Sequence, residues 1–172
     1  MTLLIRNALQ IIGFQAVWLT WALGIPNNMS WPGALTSTLF LACHVPFLKA
    51  NRPDRQALAW CLIAGFALDS LLQGSGWLAF QAPNPEPLSA WQPWWMTLLW
   101  ACLACTLNHS LAWLRQRGWV AVILSAISGL LSYRAAAETG ALNWSQPQLV
   151  TLTLLIFWGG FIPWVQSRTQ DR

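Results

Sequence analysis

Trp94-Trp95-Met96-Thr97-Leu98-Leu99-Trp100-Ala101-Cys102-Leu103-Ala104-Cys105-Thr106-Leu107-Asn108-His109-Ser110-Leu111-Ala112-Trp113-Leu114 runs for 21 residues without a Lys, Arg, Asp or Glu. A helix that crosses a bilayer needs about 20 mostly apolar residues, within a range of about 17–25. An open strand leaves backbone groups unsatisfied in hydrocarbon, so an apolar run of this length reads as a spanning helix. Five more runs flank it: Ala8–Gly24, Trp31–Leu48, Gln56–Gln73, Trp119–Ala137 and Leu149–Val165. The expectation is an all-α polytopic membrane helix bundle of six spans, forming one domain over residues 1–172.

Composition agrees. Of 172 residues, 56% are apolar and 8% charged, against about 25% charged in an average globular chain. That balance excludes a water-soluble enzyme, a disordered protein and a disulfide-stapled secreted module. Pro26, Asn27 and Asn28 punctuate the first loop and Asn51-Arg52-Pro53-Asp54 the second. The one long connection, Gly74–Pro93, carries Pro83, Pro85, Pro87 and Pro93, which favour an extended segment. Within it, Gly74–Phe80 is expected to lie flat on the membrane surface. No small-x-small cleavage site follows Gly24, so the first run is expected to remain as a span.

Basic residues alternate between loops. Arg6, then Lys49, Arg52 and Arg55, then Arg115 and Arg117, then Arg168 and Arg172 all fall on one side, with Arg134 the exception. The positive-inside rule then puts both chain ends in the cytoplasm and the proline-rich loop outside. The net charge of +4 is accounted for by this asymmetry and carries no indication of nucleic acid. Trp31, Trp77, Trp91, Trp94, Trp95 and Trp144 fall at outer ends, and Trp113, Trp119 and Trp164 at inner ends, as interfacial anchors do.

Charges at membrane depth cost about 2.5–3.5 kcal/mol each on insertion scales, so each needs a reason. Asp69, Arg134 and Glu138 stand near the outer ends of spans three and five. Arg134 and Glu138 are four residues apart and share a helix face. An Asp69–Arg134 contact with Glu138 as second partner, extended by Tyr133 and Ser132 and closed by the Trp-rich loop with Trp77, would form an outward polar pocket for a head group, ion or small solute. The alternative is a structural ion pair, or side chains snorkelling to the outer head groups. On the inner half, Cys43, His44, Cys61, Cys102, Cys105 and His109 are residue types that zinc and copper favour. However, Cys102-Leu103-Ala104-Cys105 lies in an apolar helix, where cysteine is an ordinary packing residue. The reading is therefore no metal and no cofactor, with His44 satisfying local polar groups near Pro46. Ser125 with Gly129, Ser132 with Ala136, and Gly159-Gly160 mark close helix contacts.

Leu68-Asp69-Ser70-Leu71-Leu72 followed by Gly76 and Phe80, Pro93-Trp94-Trp95 leading to Leu99-Trp100, Ser110-Leu111-Ala112-Trp113-Leu114, and Leu131-Ser132-Tyr133-Arg134-Ala135-Ala136 with Gly140-Ala141 form a further pattern. It resembles an uncharacterised family of bacterial inner-membrane proteins, domain of unknown function 2878, over nearly the whole chain. The resemblance implies a Gram-negative inner membrane and supplies no activity or site. Gly65 to Asp69 also looks like the helix pattern of rod-shape protein MreD and of vitamin-uptake S components, which implies a six-helix bundle with a ligand pocket or a partner-binding face.

There is no GxSxG, HExxH or Walker loop, which weighs against an enzyme. Two functions lead: a small-solute or lipid-binding or transport module, and an accessory or scaffold subunit of a membrane assembly. An intramembrane enzyme comes third. The partners expected are membrane lipids, and another membrane protein or a second copy.

Overall fold

The computed structural model describes residues 3–169. Among them are six α-helices: α1 (Leu3–Gly24), α2 (Trp31–Ala50), α3 (Arg52–Gly74), α4 (Trp94–Leu107), α5 (Trp119–Glu138) and α6 (Pro147–Arg168). Four of them, α1, α3, α5 and α6, are long and apolar enough to cross a membrane, while α4 is apolar but has only 14 residues. Large apolar side chains such as Leu4, Leu9, Ile12, Ile63, Leu131 and Ile156 face outward. A helix that is apolar all round suits lipid as its solvent.

α4 is the centre of the packing. It lies against α1, α2 and α3, while α5 and α6 form a hairpin joined to the rest through α3 and the segment that follows α4. Close approach depends on glycines that seat indole rings. The wholly buried Trp21 of α1 lies over Gly33 of α2 and donates its Nε1–H to Ser37 Oγ at 2.8 Å. The α1–α2 turn closes when Met29 N donates to Gly24 O at 2.9 Å. A Cβ on Gly24 would stand 2.3 Å from the Met29 carbonyl oxygen, so only glycine fits there.

Two strands replace expected loops. β1 (Leu78–Phe80) pairs antiparallel with β2 (Leu142–Trp144) in the register Leu78↔Trp144, Ala79↔Asn143 and Phe80↔Leu142. The segment expected to lie flat is thus a ribbon, whose inward residues Leu78, Phe80 and Leu142 are buried. Gln73 fastens it: its Oε1 accepts from Phe80 N at 2.9 Å and its Nε2 donates to Ser89 O at 2.9 Å. The ribbon ties the loop after α3 to the α5–α6 connection and so defines one end of the bundle, the ribbon end. The opposite, basal end carries the start of α1 and the finish of α6.

The fourth run is the main correction. It is not one helix over 94–114: α4 stops at Leu107, and turns and a 3-10 helix (Ala112–Gln116) follow. Irregular backbone at membrane depth survives only where protein satisfies it. Here distant side chains do so. Gln166 of α6 donates to the carbonyls of Leu107 (3.0 Å) and Leu111 (2.9 Å). Gln10 of α1 donates to Cys105 O (2.9 Å) and accepts from Ser110 N (2.8 Å). Asp54 of α3, in a stretch that reads as a loop, is buried and accepts from Asn108 (3.0 Å), with His109 Nε2 at 3.2 Å. Asn108 Oδ1 in turn accepts from Arg115 (2.6 Å) and Thr169 (3.0 Å).

Candidate functional site

Residues four apart share a helix face, and Gly65 and Asp69 use theirs to hold one side chain. Gly65 leaves room for the Trp100 ring, while Asp69 Oδ2 accepts that indole's N–H at 2.7 Å. From α5, the Tyr133 hydroxyl donates to Asp69 Oδ1 at 2.5 Å. Gln92 completes the set. In the amide orientation that satisfies its neighbours, its nitrogen donates to Asp69 Oδ2 (3.2 Å) and Gly65 O (3.3 Å), and its oxygen accepts from Thr97 (2.6 Å). Asp69 is 0% exposed, and it binds α3, α4 and α5 together through neutral donors.

The expected Asp69–Arg134 pair does not form. Successive residues on a helix point about 100° apart, and it is Tyr133 that turns toward α3. Arg134 faces out, 3.5 Å from Glu138 and 5.8 Å from the centre of the Trp144 ring, with the ion pair's side chains 62% and 73% exposed. Of the residues proposed for an outward pocket, then, Asp69 and Tyr133 meet in the interior, and Arg134 and Glu138 lie on the surface. Trp77 packs against the core, and its carbonyl receives Ser145 N (2.9 Å) and Gln146 N (3.1 Å).

On the basal half, Cys43 is exposed, and Cys61, Cys102 and Cys105 are buried free thiols. Among the described residues no three of His, Cys, Asp and Glu converge as a metal site. His44 Nδ1 donates to Phe40 O at 2.7 Å, which leaves its Nε2 to accept from Gln10 at 2.7 Å. The His44 and His109 ring centres are 6.4 Å apart.

A cleft of about 570 Å³ runs along α4, between α1 and α5. α4 from Trp95 to Thr106, with Ser110 and Leu111 of the turns after it, forms its floor, α1 supplies one wall with Ile11, Phe14 and Trp18, and Ser132, Tyr133 and Ala136 of α5 supply the other. The walls are mostly apolar, and the volume falls within the roughly 300–1,000 Å³ of small-molecule sites. Tyr133 therefore has two roles: its ring faces the cleft while its hydroxyl is committed to Asp69 behind the wall. The cleft exists because α5 is drawn onto α6 instead of α1. Gly129 of α5 seats Trp158 of α6, which stacks on Trp100 with centroids 5.0 Å apart and planes 10° from parallel.

Residues of this region that the sequence pattern left unmarked are Gln10, Gln15, Asp54 and Gln166. A glutamine within an apolar run is itself a signal, since a buried amide needs partners; Gln10 and Gln166 are such residues, and both brace the break in α4.

No curated protein and no solved structure matches the chain. A family model does: residues 7–164 match the protein of unknown function DUF2878, with Tyr133, Asp69 and the whole cleft inside the matched range. The chain therefore belongs to that family.

Proposed function

We propose that this membrane protein binds a chain-bearing amphiphile, lipid-like in character, in the cleft between α1 and α5. One observation carries the reading: about 570 Å³ of mostly apolar space, bordered by helices whose outer faces are also apolar. A ligand could reach it from the bilayer without crossing water. An outward polar pocket is the weaker reading, because Asp69 is wholly buried and Arg134 faces away from it. The helix directions support six passes, with α4 and the braced turns after it together making the fourth. The gathering of Arg6, Lys49, Arg52, Arg55, Arg115, Arg117 and Arg168 at the basal end supports a cytoplasmic location for that end, in a bacterial inner membrane.

The test is native mass spectrometry of the full chain from lipid nanodiscs, wild type beside Ser132→Trp. Ser132 lines the cleft and its side chain makes no hydrogen bond among the described residues, so an indole there fills the space. The expected result is a lipid-mass adduct retained by wild type and lost from a Ser132→Trp protein of unchanged helicity. Equal adducts on both would refute the cleft as the site. A second polypeptide bound in place of lipid would turn the reading to a subunit whose cleft receives a partner helix.

A further inference from the structure

Resting on the cleft reading, we infer that the ligand carries an anionic oxygen head group, seated at the basal end of the cleft where the Ser110 hydroxyl donates to it. Ser110 lines the cleft and is 2% exposed, yet its Oγ has no partner among the described residues. This is a consequence of the break in α4. A serine in a continuous helix returns its hydroxyl to the carbonyl four residues back. For Ser110 that carbonyl belongs to Thr106, and it is already taken by the backbone N–H groups of His109 (3.1 Å) and Leu111 (3.0 Å). The Ser110 backbone N–H is itself committed to Gln10. A buried hydroxyl without a partner costs about 1–3 kcal/mol, and an acceptor placed beside it removes that cost.

No Lys or Arg lines the cleft itself, and the head group's charge is set by the basic end of the bundle beyond it. The basal end holds Arg6, Lys49, Arg52, Arg55, Arg115, Arg117 and Arg168 among the described residues, against Asp54, whose oxygens are engaged by Asn51, Asn108 and His109. Arg115 has a spare donor there: its Nη2 serves Asn108, while its buried Nε has no partner among the described residues. At the other end, Trp95, Met96, Ala141 and Leu142 offer the ligand an apolar surface, and the Tyr133 hydroxyl is occupied. Among the described residues Trp158 Nε1 also lacks a partner, but Gly129 and Trp100 fix that ring by packing. Gln15 faces the cleft from α1, about 7.5 Å along the helix from Gln10. The occupant that fits has its acid at Ser110 and its chain running toward the ribbon end. A carboxylate and a phosphate monoester share this chemistry.

The experiment uses the full chain in detergent micelles. Its probes are a chain-brominated stearate, the stearate's methyl ester and a monoalkyl phosphate. Binding of the brominated probes is read as tryptophan quenching, and that of the phosphate as competition. Ser110→Ala removes only a buried, unpartnered hydroxyl, so its unfolding midpoint should equal or exceed that of wild type. Loss of a hydrogen bond to a charged group should weaken the acid probes about tenfold or more. The methyl ester should bind Ser110→Ala and wild type alike, and Thr38→Ala, which removes an exposed hydroxyl on α2 outside the cleft, should bind all probes as wild type does. Tighter binding of the phosphate would identify a phospholipid-type head, and tighter binding of stearate a fatty acid. Equal binding of acid and ester, unchanged by Ser110→Ala but blocked by Ser132→Trp, would overturn the head-group placement and leave the cleft standing. Binding that Ser132→Trp does not alter would overturn both.

Discussion

Gly65→Ala puts one methyl group where the bundle has no room for it. The added Cβ would stand 2.2, 2.4 and 2.5 Å from Cδ2, Cε2 and Cγ of Trp100. Carbon atoms rest at about 3.5–4.0 Å, so the indole must retreat by more than an ångström. Its retreat is blocked. Trp158 stacks behind it at 5.0 Å, Trp158 is itself seated on Gly129, and the Trp100 N–H is tethered to Asp69 at 2.7 Å. Overpacking of this kind costs about 1–3 kcal/mol, and stretching the tether forfeits part of a bond worth about 1 kcal/mol. Helix propensity returns about 1 kcal/mol on replacing glycine by alanine. The net expectation is destabilisation by about 1–2 kcal/mol, a roughly five- to thirty-fold shift toward the unfolded state. Gly160→Ala supplies the control, since nothing lies within 4 Å of its added Cβ, and it should be neutral or slightly stabilising. Reversible unfolding in mixed micelles with rising SDS, followed by circular dichroism, measures both. In a Trp100→Ala background the effect of Gly65→Ala should change sign, because the clash is gone and the propensity gain remains. A Gly65→Ala protein as stable as Gly160→Ala would show that no ring is seated on Gly65, and the packing account of the Asp69 centre would fall with it.

Three further outcomes follow from the same geometry. Asp69→Leu leaves the N–H of Trp100 and the hydroxyl of Tyr133 buried without an acceptor, at about 1–3 kcal/mol each, whereas Asp69→Asn keeps an acceptor for Trp100 and should lose less than half as much in the same unfolding assay. Arg134→Ala and Glu138→Ala remove an exposed pair and should each shift stability by less than about 1 kcal/mol; a larger loss would restore Arg134 to the interior. Gln166→Leu strips the Leu107 and Leu111 carbonyls of their side-chain donor, so amide hydrogen exchange over 106–117 should rise well above wild type, and unchanged protection there would show that the break in α4 is braced by something else.

Long apolar runs expose the helices in the sequence, because hydrocarbon admits little else at that length. The fourth run misleads for a definite reason. Asn108-His109-Ser110 reads as three polar residues inside a helix, and the groups that decide otherwise, Gln10, Asp54 and Gln166, lie 100, 54 and 59 residues away from their partners there. Asp54 itself is concealed by its neighbours, since Asn51-Arg52-Pro53-Asp54 has the composition of an exposed turn. Asp69 is conspicuous as a lone acid in an apolar span, and Tyr133 stands out beside Arg134. Which of the two meets Asp69 depends on the rotation of α5 about its axis, and that is set by Gly129 receiving Trp158 from α6. Such a rotation is a property of two packed helices and leaves little trace in either one alone. The strands are three residues each, too short to show the alternation by which strands are recognised.

The break in α4 and the cleft are one feature. Had the helix continued to Leu114, Ser110 would have spent its hydroxyl on its own backbone, and the basal end of the cleft would present no free polar group. Stopping at Leu107 leaves carbonyls and N–H groups without helical partners; α1 and α6 each extend a glutamine to cover them, while Asp54 of α3 holds the Asn108 and His109 side chains. Every backbone group so covered is removed from competition, and the hydroxyl left over is one on the cleft wall. At the other end the polar groups are disposed in the opposite way. Tyr133, Trp100 and Gln92 turn their donors away from the cleft and onto Asp69, so the wall there offers apolar ring faces. A chain meets mostly apolar surface on that wall, with Ser128 and Ser132 as its hydroxyls, and an acid finds a donor at the basal end. This polarity along the cleft is what an amphiphile held lengthwise requires.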